Sequence, residues 1–340
     1  VGTMLVYISN IINAKYSRRM KKVIYSICTV IVMFTVSSCN LLLVAVRNVP
    51  TFFEAPEKVK NKITQPIRKD VRLSALWIGH ATVLLQMDDK VIITDPFLTE
   101  TAGEFARRVV EPGIDAENIP PCDLILISHS HFDHLNLASI EMLAEKNSNT
   151  ALVFPSDLEN YIPDYDLKLY RLNNDNGYES KIIGESKVIN GIKVTSVFAQ
   201  HWGGRYGVDG YLWGDNAFTG YVIEYNGMTV YFAGDTGYDS LKFKQLGAIF
   251  KIDLALIPIG PCADCKQCGT YSHVFPPDAY GIYQDIGAKW MIPIHYGTLH
   301  FAQADPMEPV FAFREIIKSN KAEENVSILK IGEQKVFLRK

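Results

Sequence analysis

The sequence predicts an α/β domain with more than one sheet layer rather than a purely parallel sheet, on three observations. Apolar runs pair across Asn-Gly or acidic dipeptides, helical patterns lie between them, and short apolar strands run straight into polar loops. The hairpins come first: Leu73 to Met87 into Lys90 to Asp95 across Asp88-Asp89, Lys187 to Ala199 across Asn190-Gly191, and Gly220 to Ala233 across Asn226-Gly227. Asn-Gly accepts positive φ at both central turn positions, the strongest short hairpin signal. Helical spacing follows in Asn136 to Lys146, where Leu137, Ile140, Leu143 and Ala144 share a face, in Asp239 to Phe250, and in Pro277 to Ile286, which opens with prolines and Asp278. The single strands are Leu124 to Ile127, Leu254 to Ile257 and Met291 to Ile294.

A chain of 340 residues with 48% hydrophobic content can bury a large core, which excludes a disordered tail or a disulfide-only miniprotein. The first 38 residues hold five bases and no acid, leaving 29 bases against 37 acids, a net −8, for the rest. That balance, with no basic arm, argues against nucleic acid as a partner and against a nuclease.

Met20-Lys-Lys, the apolar run Val23 to Val36 and Val36-Ser-Ser-Cys39 have the charged, apolar and small-residue parts of an export signal. This resembles a bacterial lipoprotein signal, which implies lipidation at Cys39 and makes residues 1–19 an upstream extension. The alternative is an uncleaved membrane anchor from Val23 to Val46. Either way the expected protein is tethered to the membrane, with its large domain outside the cytoplasm. Residues 1–38 are thus the extension and signal, 39–70 a tether whose Pro50, Pro56, Pro66 and alternating charges suit a solvated spacer, and 71–340 the globular domain.

After the strand Leu124 to Ile127 comes Ser128-His129-Ser130-His131-Phe132-Asp133-His134, three imidazoles and a carboxylate within six positions. Two histidines at i and i+2 leaving a strand can face one ion, and the next turn can aim Asp133 and His134 at a second. Imidazole and carboxylate without thiolate suit Zn²⁺, with Fe²⁺ or Mn²⁺ as substitutes. His201, Asp235 and His295 each follow a strand end, where loops from one sheet edge converge. Five histidines and two aspartates suffice for two ions if one carboxylate is shared.

The pattern His-x-His-x-Asp-His, a single His, Gly-Asp-Thr-Gly and a final His resembles the metallo-β-lactamase superfamily, which implies a four-layer αβ/βα sandwich and a dinuclear metal site. Trp77-Ile-Gly-His-Ala-Thr82, Thr94-Asp-Pro96, Gln200-His-Trp202, Phe232-Ala-Gly-Asp-Thr-Gly-Tyr238, Ile257-Pro-Ile-Gly260 and Ile294-His-Tyr-Gly-Thr298 resemble the N-acylphosphatidylethanolamine-hydrolysing phospholipase D branch, with the ascorbate-phosphate lactonases nearby. The resemblance implies one zinc on His129, His131 and His201, a second on Asp133, His134 and His295, and Asp235 bridging them. It also implies a metal-bridging hydroxide as nucleophile, so no serine or cysteine nucleophile is needed. His273 falls where that branch has a substrate-facing histidine, and His80 and Asp95 sit in shared motifs as groups that orient the ligand loops. True β-lactamases carry a cysteine where Asp235 stands, and the diiron members a carboxylate where His131 stands.

Two features lie outside that pattern. Cys262-x-x-Cys265-x-x-Cys268 admits one disulfide plus a free thiol, or a further metal if another ligand joins it. Trp202, Tyr206, Tyr211 and Trp213, in a glycine-rich stretch, make either a mobile rim over the metals or plain packing. The leading expectation is a dizinc phosphodiesterase acting on a phospholipid or related small molecule. A lactonase or other ester hydrolase, and a binding lipoprotein without catalysis, are the alternatives.

Overall fold

Two sheets carry the fold, and strand alternation decides which face each side chain enters. The computed structural model describes residues 54–340 apart from 104–105, 148, 175–180, 207–208, 210–216, 263 and 301–304. Cys39, the apolar run Val23 to Val36, Tyr211 and Trp213 lie outside the described residues. Among those described, no helix is long and apolar enough to cross a membrane.

In chain order the strands are β1 (Val71–Gly79), β2 (Thr82–Met87), β3 (Lys90–Thr94), β4 (Thr101–Ala102), β5 (Ala106–Arg107), β6 (Leu124–Leu126), β7 (Ala151–Phe154), β8 (Lys168–Arg171), β9 (Ile183–Ile189), β10 (Ile192–Val197), β11 (Gly220–Tyr225), β12 (Met228–Phe232), β13 (Leu254–Pro258), β14 (Trp290–Ile294) and β15 (Gln334–Arg339). One sheet runs β15-β1-β2-β3-β6-β7-β8 and the other β14-β13-β12-β11-β10-β9, with β4 and β5 a small separate ribbon. Both sheets are mixed: β3, β6, β7 and β8 pair in parallel, as do β12, β13 and β14, while the hairpin strands are antiparallel.

The helices are α1 (Leu137–Ala144), α2 (Ser240–Ile249), α3 (Pro276–Asp285) and α4 (Glu308–Ser319). Asn136 caps α1 by accepting from Ser139 N–H, and Asp239 caps α2 by accepting from Leu241 and Lys242 N–H. On β1, Leu73, Ala75 and Trp77 enter the core shared with Val194, Tyr221, Ile223 and Val230 of the other sheet, whereas Leu76 and Ile78 face Ile140 and Leu143 of α1. The period of two thus builds one layer boundary on each face. Phe243, Ile282 and Phe313, from α2, α3 and α4, extend the first of these cores, and α3 packs against β13. The result is the four-layer sandwich.

The two Asn-Gly turns form as expected, with Asn190 at φ 52° and Gly191 at 83°, and Asn226 at 47° and Gly227 at 74°. Leu73 to Met87, expected as one strand, is instead a hairpin of its own, β1 pairing with β2 around Gly79-His80-Ala81. His80 adopts φ 55° there, a left-handed conformation that few non-glycine residues take. The stretch expected as a solvated spacer also differs from residue 57 onward. Glu57 bridges Val110, Val59 N–H donates to Glu111 Oε1 at 2.7 Å, and Ile63 and Ile67 pack on the α1 side of the first sheet. The apolar side chains at positions 59, 63 and 67 outweigh the surrounding charges.

Candidate metal centre

The ligand-bearing loops leave the strands at one edge of both sheets. After β6, Ser128 turns the chain under the control of Asp95, whose carboxylate accepts from Ser128 N–H at 2.7 Å and Ser128 Oγ at 2.5 Å. His129, His134, His201, Asp235 and His295 are all buried, while His131, Asp133 and His273 are half-buried toward the opening.

One group forms from His129, His131 and His201. His131 Nδ1 lies 2.8 Å from His129 Nε2 and 3.3 Å from His201 Nε2. The outer nitrogens are held from behind: His129 Nδ1 is 2.9 Å from Ser128 Oγ, and His201 Nδ1 is 2.8 Å from the Ser272 carbonyl. A ring N–H committed to a carbonyl leaves the opposite nitrogen as a lone pair facing inward.

The other group is Asp133, His134 and His295, and His80 joins it. His80 Nε2 lies 2.9 Å from Asp133 Oδ2, and its ring is 4.0 Å from that of His295. The four offer ligand atoms within 4.8 Å of one another. Asp235 stands between the groups: its Oδ2 is 3.1 Å from His295 Nε2, 3.4 Å from His273 Nε2 and 3.5 Å from His134 Nε2. Asp235 Oδ1 and His131 Nε2 are buried and, among the described residues, have no hydrogen-bond partner. A buried carboxylate oxygen without a donor, amid imidazole nitrogens, is what a divalent cation fits.

The electrostatics follow from burial and crowding. Burial, then the neighbouring His295, pushes His80 down to about 3, and burial likewise brings His131 down to about 4. His134 goes the other way: burial opposes its charge, but Asp235, Asp133 and Asp95 together hold it well above the ordinary imidazole value. Asp235 is held well below the usual carboxylate range, because His295 and His134 outweigh the cost of burying it.

A family model described as a β-lactamase superfamily domain matches residues 90–296. The chain belongs to the metallo-β-lactamase superfamily of metal-dependent hydrolases. Among the relatives of this superfamily member is the N-acyl-phosphatidylethanolamine-hydrolyzing phospholipase D 1 of Caenorhabditis elegans, 26% identical over 80% of this chain and 78% of the relative. A UPF0173 metal-dependent hydrolase of Pelotomaculum thermopropionicum is 30% identical over 77% of this chain and 98% of its own length. The solved structure of Igni18, a metallo hydrolase from Ignicoccus hospitalis, superposes with a TM-score of 0.56 at 22% identity, covering 79% of this chain and 99% of that one.

The site residues named from the sequence motifs of this superfamily lie at this one sheet edge, and Cys39 lies outside the described residues. Asp95 lies 2.6 Å from His134 Nδ1 and accepts from Ser128, as a group that orients the ligand loop. His80, expected only to orient others, offers its Nε2 within the second group. The sequence reading missed Arg205, whose Nη1 donates to the Ser130 and Leu135 carbonyls. No motif announces such a contact. Of the cysteines, Cys262 and Cys265 form a disulfide and Cys268 is an exposed free thiol, which is the first of the two arrangements their spacing admits. Trp202 is 42% exposed with its ring 4.4 Å from His131, and Tyr206 is 65% exposed beside Phe132, so both sit at the mouth rather than in the core.

Proposed function

We propose that this hydrolase is a dinuclear zinc phosphodiesterase of the N-acylphosphatidylethanolamine phospholipase D type. The observation that carries the reading is the position of Asp235, with Oδ2 within 3.5 Å of His295, His273 and His134. A carboxylate so placed suits sharing between an ion on His129, His131 and His201 and another on Asp133, His134 and His295. Two bound zinc ions would supply an acidified water and Lewis acidity at a phosphoryl oxygen. The chain's own residues do the rest. Asp95, Ser128 and the Ser272 carbonyl fix which nitrogen of His134, His129 and His201 points inward, and His80 holds Asp133. His273, half-buried at the mouth with Nε2 toward Asp235, orients the substrate's phosphoryl oxygen and delivers a proton to the leaving alcohol.

The substrate class is supported by the motifs and by the phospholipase relative. A tether through Cys39 lipidation, or through an N-terminal apolar helix, would hold the site near lipid headgroups outside the cytoplasm. The test is metal analysis of the purified chain together with turnover of phosphodiester, lactone and thioester substrates. Two zinc ions per chain and preferential cleavage of an N-acylated phospholipid are expected; a single ion, or lactone turnover alone, overturns it. Fe²⁺ or Mn²⁺ supporting higher activity would reassign the metal. Labelled palmitate incorporated in the wild type and lost in Cys39→Ser tests the tether.

A further inference from the structure

The two loops that make the first ion group come from different sheets, and something must register them. His129 and His131 follow β6, and His201 follows β10. Four residues beyond His201, Arg205 is 8% exposed, and its Nη1 donates to the Ser130 carbonyl at 3.0 Å and the Leu135 carbonyl at 2.7 Å. Those carbonyls bracket the segment holding His131, Asp133 and His134. The guanidinium lies 4.2 Å from the centre of the Phe132 ring, and the neighbouring Gly204 N–H donates to Ser130 Oγ at 2.9 Å.

Arg205 is itself held. Its backbone N–H donates to Asp209 Oδ2 at 3.0 Å, Tyr206 N–H donates to Asp209 Oδ1 at 2.8 Å, and Tyr161 O–H donates to Asp209 Oδ2 at 2.6 Å. Burying a guanidinium against neutral carbonyls is a costly way to gain stability alone. Its planar fork, however, fixes two backbone points at once, which an apolar side chain of equal size does not.

We propose that Arg205 is a positioning residue for the metal centre, clamping the His129–His134 loop in register with His201. The inference rests on the ligand assignment proposed above. It does not depend on the substrate.

The test uses the full chain and compares wild type, Arg205→Ala, Asp209→Asn and His201→Ala. Zn²⁺ affinity is read by chelator competition, and the Co²⁺-substituted protein by its visible d–d spectrum. Arg205→Ala is expected to weaken the ion at His129, His131 and His201 by about 10- to 100-fold and to shift the Co²⁺ spectrum. Free guanidinium, filling the vacated space, should restore both in part, a response that general loss of packing does not give. Asp209→Asn, which leaves Arg205 in the chain and only weakens the contacts that hold it, should move affinity in the same direction by less, and it carries the test if Arg205→Ala does not fold. Wild-type affinity and spectrum in the arginine variant, or in Asp209→Asn where that variant carries the test, overturn the positioning role. If His201→Ala binds as wild type does, the ligand assignment fails instead.

Discussion

Asp95 Oδ2 lies 2.6 Å from His134 Nδ1, and neither side chain is exposed to solvent. The same carboxylate accepts from Ser128, so one side chain sets both the start of the ligand loop and the tautomer of its last histidine. Asp95→Asn is the informative change. An amide can donate where the carboxylate accepts, which would move the His134 proton to Nε2, the atom that faces the ion. Metal affinity should fall about 10- to 100-fold while the chain stays folded. Chelator competition checks it, and unchanged affinity would falsify the tautomer argument.

Gly234 precedes Asp235 at φ 60°, and a Cβ built there would come within 2.6 Å of Ser128 Cβ. Gly234→Ala therefore has to push the Asp235 loop away from the Ser128 loop and adopt a left-handed backbone as well. A loss of about 2–4 kcal/mol in unfolding free energy is expected. Reduced metal content should accompany it, because Asp235 moves with the loop. Denaturant titration with parallel metal analysis measures both.

How much of this was legible in the sequence depends on how local each signal is. His129, His131, Asp133 and His134 stand in six consecutive positions, and His201, Asp235 and His295 each follow a readable strand, so ligand chemistry and fold edge coincide in the sequence. The role of His80 was less legible, because its reach to Asp133 depends on a turn at positive φ that no Gly or Asn announces at that residue. Arg205 was not legible at all: a guanidinium bonded to two carbonyls 70 and 75 residues away leaves no pattern in sequence. Helix α4 carried apolar residues at Val310, Phe313 and Ile317, a spacing visible in hindsight but remote from any motif. Turn chemistry and ligand type are local; the contacts that tune a site are tertiary.

Asp235 tests the sharing of one carboxylate between two groups. Asp235→Asn keeps the shape and removes the charge that His295 and His134 face. Turnover should drop by at least about a hundredfold, as for loss of a group acting on developing charge. Metal content should fall below that of the wild type, and the circular dichroism spectrum should not change. Full activity in this variant would remove Asp235 from the mechanism.

Cys122 provides a pH test far from the metal centre. Its thiol is buried, with Sγ 3.5 Å from the Pro120 carbonyl, and burial pushes it from an ordinary value of 9.0 up to about 12. The folded value lies above the unfolded one, so the contribution to stability is complete below pH 9 and is lost as pH rises toward 12. At pH 10 the unfolded thiol is mostly ionised and the folded one is not, which costs on the order of 1 kcal/mol of stability relative to pH 8. Cys122→Ala removes that component whatever it costs in packing at neutral pH. The difference in unfolding free energy between wild type and Cys122→Ala should therefore shrink between pH 8 and pH 10. Urea titrations at the two pH values measure it, and a difference independent of pH would mean that Cys122 ionises alike in both states.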